Sequence, residues 1–155
     1  MRISFLAPLA LLLSIGAADA CATLNGEAAV KLSLLAEVNA LRANAGLAPL
    51  SPSRKLEGIA KDHACDMAER GYFGHVSPEG RSLKNRVRTG DYRFKSAVEN
   101  IAITPGADAA RVVRMWRNSP SHMANIVRRD LREVGFGAGV GSKNILWVMV
   151  GGSRG

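Results

Sequence analysis

The 155-residue chain is expected to lack the signatures of the common hydrolases, with no nucleophile elbow, no paired Cys-x-x-Cys and no His-Glu-x-x-His. Ordinary serine, cysteine and zinc-protease chemistry therefore has no sequence support. Cysteine is scarce. Only Cys21 and Cys65 are present, and Cys65 falls mid-helix beside Asp66, a setting that does not favour a reactive thiolate. No apolar run after the first twenty residues is long enough to span a bilayer. Internal repeats and linkers are also missing, which leaves one single-core domain.

What is present starts with a leader. Arg2 gives a positive start, Phe5 to Ile15 an apolar stretch, and Ala18-Asp19-Ala20 a small-residue cleavage site. Residues 1–20 are therefore expected to be a secretory signal peptide, 21–29 an N-terminal segment and 30–155 the domain. The competing reading is a lipoprotein with a lipidated Cys21, for which Ala18 and Asp19 fit poorly. Export into an oxidising compartment points to a Cys21–Cys65 disulfide worth roughly 4 kcal/mol. Two free thiols or a lipidated Cys21 are the alternatives, because whether Cys21 reaches the helix of Cys65 does not follow from spacing.

The formal charge is +8, and removing the leader takes away one base and one acid, so the balance holds. A secreted or periplasmic protein of that charge favours anionic envelope components, such as phospholipid headgroups, lipopolysaccharide or wall polymers. No nucleic-acid partner is expected of an exported chain. The bases are spread over Arg81, Lys84, Arg86 and Arg88, then Arg111, Arg114 and Arg117, then Arg128, Arg129 and Arg132. The plain interpretation of that spread is solvated helix faces.

Leu34, Leu35, Val38 and Leu41 predict a helix over about 27–45, ended by Gly46. Pro49 to Pro52 predict a turn, with Ser51 or Ser53 capping a second helix that runs to Arg70 and stops at Gly71. Ser82 to Thr89 read as a short helix, Val98 to Ile103 as a strand, and Asp108 as the cap of a helix to about Trp116. Ser119 and Pro120 open another helix to about Val127. Val134 to Val140 and Ile145 to Val150 form a hairpin. Together these give an α+β domain.

Three residues carry the chemistry. His75 lies in a loop just past a helix stop, and His122 one turn into a helix with Asn125 on the same face. Glu99 sits inside the apolar stretch Ala97 to Ile103, where a carboxylate is costly unless it is paired. Asn100, next on the strand, must point to the opposite face and ties down backbone instead. His63 falls on the packed face of the second helix and is expected outside the cluster.

These residues stand in ordered phrases: Glu37-Val38-Asn39 with Arg42, then Met67-Ala68-x-Arg70-Gly71-Tyr72-Phe73-x-His75-x-Ser77-Pro78, then Gly90-Asp91-Tyr92. Glu99-Asn100-Ile101-Ala102, Trp116-x3-Pro120-x-His122-x2-Asn125-Ile126 and Glu133-Val134-Gly135-x-Gly137 follow. Over about residues 30–151 the chain resembles the CAP superfamily, or SCP domain, of cysteine-rich secretory, antigen 5 and pathogenesis-related proteins, in its short bacterial secreted form.

The resemblance implies an α-β-α sandwich with a small antiparallel sheet flanked by helices. It also implies a cleft of two histidines and two glutamates proposed to bind divalent cations. His75, Glu99 and His122 match, whereas no carboxylate stands near Ser119 to supply the second glutamate. The remaining set would hold zinc with an open position and modest affinity, or leave Glu99 only to orient an imidazole.

The first functional expectation is a monomeric, non-enzymatic binding module taking an ion or small ligand, with a basic surface for envelope or lipid partners. Sterol and lipid binding by some members is implied by resemblance alone. The alternatives are a metal-dependent hydrolase using His75, Glu99 and His122, with Glu99 as base, and a structural envelope component with a vestigial cleft.

Overall fold

A computed structural model describes residues 21–155, so the expected leader, residues 1–20, lies outside the described residues. In chain order the elements are α1 (Glu27–Asn44), β1 (Ser51–Pro52), α2 (Arg54–Arg70), α3 (Leu83–Thr89) and β2 (Phe94–Thr104). They continue with α4 (Ala109–Arg117), α5 (Pro120–Ile126), β3 (Glu133–Val140) and β4 (Ile145–Arg154). Local chemistry marks the boundaries. Gly71 takes the left-handed conformation (φ 68°) that ends α2, and the Asp108 carboxylate accepts the Arg111 backbone N–H at 2.9 Å to start α4. Ser53 stands at the start of α2 but makes no side-chain capping bond.

The sheet runs β1-β3-β4-β2, with β2 antiparallel to β4 and β3 antiparallel to β4. The segment expected to be a turn supplies β1, whose two residues pair parallel with Glu133 and Val134. The sheet is thus antiparallel except at that edge. β2 begins at Phe94, earlier than its apolar core suggests, because Phe94 and Ser96 pair with Arg154 and Ser153 across a register shift.

Both faces of the sheet are covered, giving the sandwich, with two cores in place of the single core expected. Along β4, Ile145, Trp147 and Met149 enter one core with Leu34, Val38, Val112, Trp116 and Ile126 from α1, α4 and α5. Leu146, Val148 and Val150 enter a second core with Leu56, Ile59, Ala60, Ala64 and Met67 of α2. A strand buried on both faces loses hydrophobic alternation, which is why β4 appears as an unbroken apolar run. Each fully buried aliphatic or aromatic side chain contributes roughly 1.5–3 kcal/mol.

β3 alternates differently: Val134, Phe136 and Ala138 face the first core, and glycines lie under α2. A Cβ on Gly135, Gly137 or Gly139 would fall 2.1, 2.2 or 2.1 Å from α2 backbone atoms. The helix therefore lies directly on the strand.

The N-terminal segment is fastened to this frame. Cys21 and Cys65 form a disulfide with Cα atoms 5.4 Å apart, which settles the cysteine question in favour of pairing. Arg42, buried on α1, donates to the carbonyls of Ala48 (2.9 Å), Ile126 (2.7 Å) and Arg128 (2.9 Å) and so ties three segments together.

One motif expected to be absent is present in its letters. Gly151-Gly152-Ser153-Arg154-Gly155 has the spacing of a nucleophile elbow. Ser153, however, lies within β4, is buried and shares a 2.9 Å hydrogen bond with Ser96. Its hydroxyl is thus held inside the sheet, whereas an elbow serine sits exposed on a sharp turn.

Candidate functional site

β2 is an edge strand, and its outward backbone carbonyls need partners. Trp116 Nε1 on α4 donates to the Ile101 carbonyl at 3.1 Å, and Asn125 Nδ2 on α5 donates to the Glu99 carbonyl at 3.1 Å. Asn125 Nδ2 also donates to Asn100 Oδ1 at 2.9 Å, while Asn100 Nδ2 donates to the His122 carbonyl at 3.0 Å. Asn100 is fully buried and ties down backbone, as expected. This lattice of amides fixes α5, and with it His122, against the strand edge.

Glu99 points to the opposite face of β2 and is buried, with 5% of its surface exposed. Both of its oxygens are engaged. Oε1 accepts a hydrogen bond from His75 Nδ1 at 2.8 Å, and Oε2 accepts one from the Arg86 guanidinium at 2.7 Å. Arg86 is itself buried on α3 and donates to the carbonyls of Arg81 (2.9 Å) and His75 (3.1 Å). The loop carrying His75 is thus held at its backbone by Arg86 and at its ring by Glu99. With Nδ1 donating inward, the half-exposed ring has Nε2 left for a ligand.

His63 does not stay outside this cluster. Its Nε2 donates to the Gly74 carbonyl at 3.0 Å and stands 3.9 Å from Glu99 Oε1, too far for a hydrogen bond. The spacing on α2 correctly marks a buried face, but that face packs on the loop before His75 and not on plain apolar core. Burial pushes the His63 pKa below its ordinary value despite the nearby Glu99, so the ring is neutral with its proton on Nε2. Tyr72 extends the network by donating to Asp66.

His122 is half-buried on α5. Burial first, and a charge on His75 second, lower its pKa. Of the three expected site residues, His75 bonds Glu99 directly, whereas His122 makes no hydrogen bond to either among the described residues and is linked to His75 only through its lowered pKa. Among the described residues, no three His, Cys, Asp or Glu side chains are grouped as a metal cage would require. Arg86 lies within a run of bases that reads as a solvated helix face, and only its place three residues into α3 after Leu83 hints otherwise.

The sequence model of the cysteine-rich secretory protein family, CAP, matches residues 35–150. The chain belongs to the CAP family. Its CAP domain is 36% identical over 99 residues to the uncharacterized membrane protein YlbC of Bacillus subtilis, covering 64% of this chain and 28% of YlbC. It is 28% identical to an outer surface protein of Borrelia burgdorferi, with a TM-score of 0.72 over 79% of this chain and 90% of that one.

An extracellular SCP-domain protein of Bacillus anthracis matches at 26% identity and a TM-score of 0.69, over 83% of this chain and 41% of the other. The chain thus spans well under half the length of YlbC and of the anthracis protein. No described helix is long and apolar enough to cross a membrane.

Proposed function

We propose that this CAP domain is an exported binding module whose cleft offers the imidazoles of His75 and His122 to a zinc-like divalent cation. Glu99 acts from behind, holding the His75 ring by its Nδ1. The observation that carries this reading is the His75 Nδ1–Glu99 hydrogen bond of 2.8 Å, the arrangement that metal-ligating histidines use to direct their other nitrogen outward. The donor set suits two imidazole ligands. It does not suit Glu99 as a third, because ligation through either oxygen would break the bond to His75 or leave Arg86 buried without its carboxylate.

The same pairing weighs against hydrolase chemistry. Both Glu99 oxygens are already engaged, by His75 and by Arg86, so neither is placed to take a proton from water, and Glu99 is the only carboxylate hydrogen-bonded to either site histidine among the described residues. Export is supported by the extracellular and outer-surface locations named for the two solved relatives, and the +8 charge supports an anionic envelope partner. Calorimetric titration of the protein with zinc tests the cleft. Binding of modest affinity is expected in the wild type and loss of it in His122→Ala, while identical isotherms would refute the reading.

A further inference from the structure

At the end of the sheet where β2 begins and β4 finishes, two grooves are lined by the paired residues Phe94 and Arg154 and their chain neighbours. The larger, of about 580 Å³, is walled by Lys84, Arg88 and Arg93. The other, of about 430 Å³, is walled by Lys95, Arg132 and Arg154. All six of these cations are exposed.

The acids in the two grooves already have partners. Asp91 pairs with Lys55, Asp130 with Arg128 and Glu133 with Arg154. That leaves Lys84, Arg88, Arg93, Lys95 and Arg132 without a paired carboxylate among the described residues, an excess that persists with a Gly155 carboxylate counted against it. The exposed large apolar side chains, Leu32, Phe73, Val76, Ile103 and Met115, all lie elsewhere. A surface that inserts into lipid would need such residues, whereas a concave basic track without them fits a flexible charged chain.

We propose that these two grooves form one cradle for a linear anionic polymer of the cell envelope, bearing a phosphate or carboxylate on each unit. The inference rests on the anionic-envelope part of the proposed function and is independent of the metal cleft. Arginine and lysine serve the two grooves differently: the guanidinium fork of Arg88, Arg93 or Arg132 can hold such a group through two hydrogen bonds, and lysine acts as a point charge.

Binding of the protein to linear polyphosphate, to polygalacturonate and to vesicles containing phosphatidylglycerol tests this, read by calorimetry or cosedimentation across a salt series. Arg88→Gln/Arg93→Gln/Lys95→Gln removes three charges from the cradle, and Arg111→Gln/Arg114→Gln/Arg117→Gln removes three from α4, beyond the other end of β2. Circular dichroism melts establish that both variants fold.

At least one of the two polymers should bind the wild type, and the arm that binds names the anionic group. The cradle variant should lose roughly tenfold or more in affinity and show a flatter salt dependence, while the α4 variant changes about twofold or less. Equal losses in both variants would overturn the cradle and leave only general charge attraction. Binding to vesicles alone would overturn the polymer in favour of a membrane surface. If the wild type binds none of the three, the anionic-partner reading itself fails.

Discussion

Arg86 and Glu99 form a buried ion pair, 2.7 Å between guanidinium and carboxylate, with only 6% and 2% of the two side chains exposed. It links α3 to the edge strand, and His75 completes it from the loop. Removing one partner leaves a charge in the interior with nothing to balance it, which costs about 3–5 kcal/mol, far more than a surface pair. Arg86→Met should lower the stability measured in urea by about that amount. Arg86→Met/Glu99→Leu should recover part of it, because the stranded charge is gone. Recovery stays incomplete since Arg86 also holds the Arg81 and His75 carbonyls.

Stability should fall with acidity through the histidine range. The folded-state pKa values of His63 and His122 lie below their unfolded values, in both cases first because burial disfavours the charged ring. The unfolded chain then binds more protons, so stability is full above the unfolded histidine pKa, about 6.5, and is lost as pH falls toward the folded values. Urea midpoints from pH 7.5 to 4.5 should decline in the wild type and decline less in His63→Gln. Parallel curves would show that His63 contributes nothing to the pH dependence.

The Cys21–Cys65 bond closes a loop across a sequence separation of 44, for which the chain-entropy relation gives roughly 4 kcal/mol. Reduction, or Cys21→Ser/Cys65→Ser, should lower the melting temperature while the far-ultraviolet spectrum at 25 °C stays native. The frame should tolerate this, since two separate cores remain packed on the sheet.

Gly137 is a sharper lesion than its size suggests. An added methyl would meet the Lys61 amide nitrogen at 2.2 Å, and backbone cannot turn aside as a side chain can. Gly137→Ala should destabilise by at least the 1–3 kcal/mol typical of overpacking. Gly106→Ala, where a Cβ meets nothing within 4 Å, serves as the control.

The helices, the hairpin and the need of Glu99 for a buried partner were legible because each has a local cause: periodicity, a cap, or a polar side chain in an apolar setting. What could not be read depends on which elements meet. His63 has the spacing of a core residue and is one, but periodicity does not say that its face packs on Gly74 and stands near Glu99. Arg86 sits among exposed bases, and only the tertiary fold turns it toward the strand. β1 carries no strand signal in Ser51-Pro52 and exists because β3 lies alongside. The phrases Asn39, Tyr92 and Glu133 proved structural: Asn39 brackets the Leu50 backbone at 2.8 and 3.1 Å, and Tyr92 donates to Glu133 at 2.6 Å.

The central claim is that zinc binds the outward nitrogens of two imidazoles while Glu99 holds one of them from behind. Nitrogen-15 chemical shifts of the histidine rings, followed through a zinc titration, test it most directly. His75 Nε2 and one nitrogen of His122 should shift together, His75 Nδ1 should keep its proton toward Glu99, and His63 should not respond. Zinc-dependent shifts at His63, or none at His75 and His122, would contradict the account.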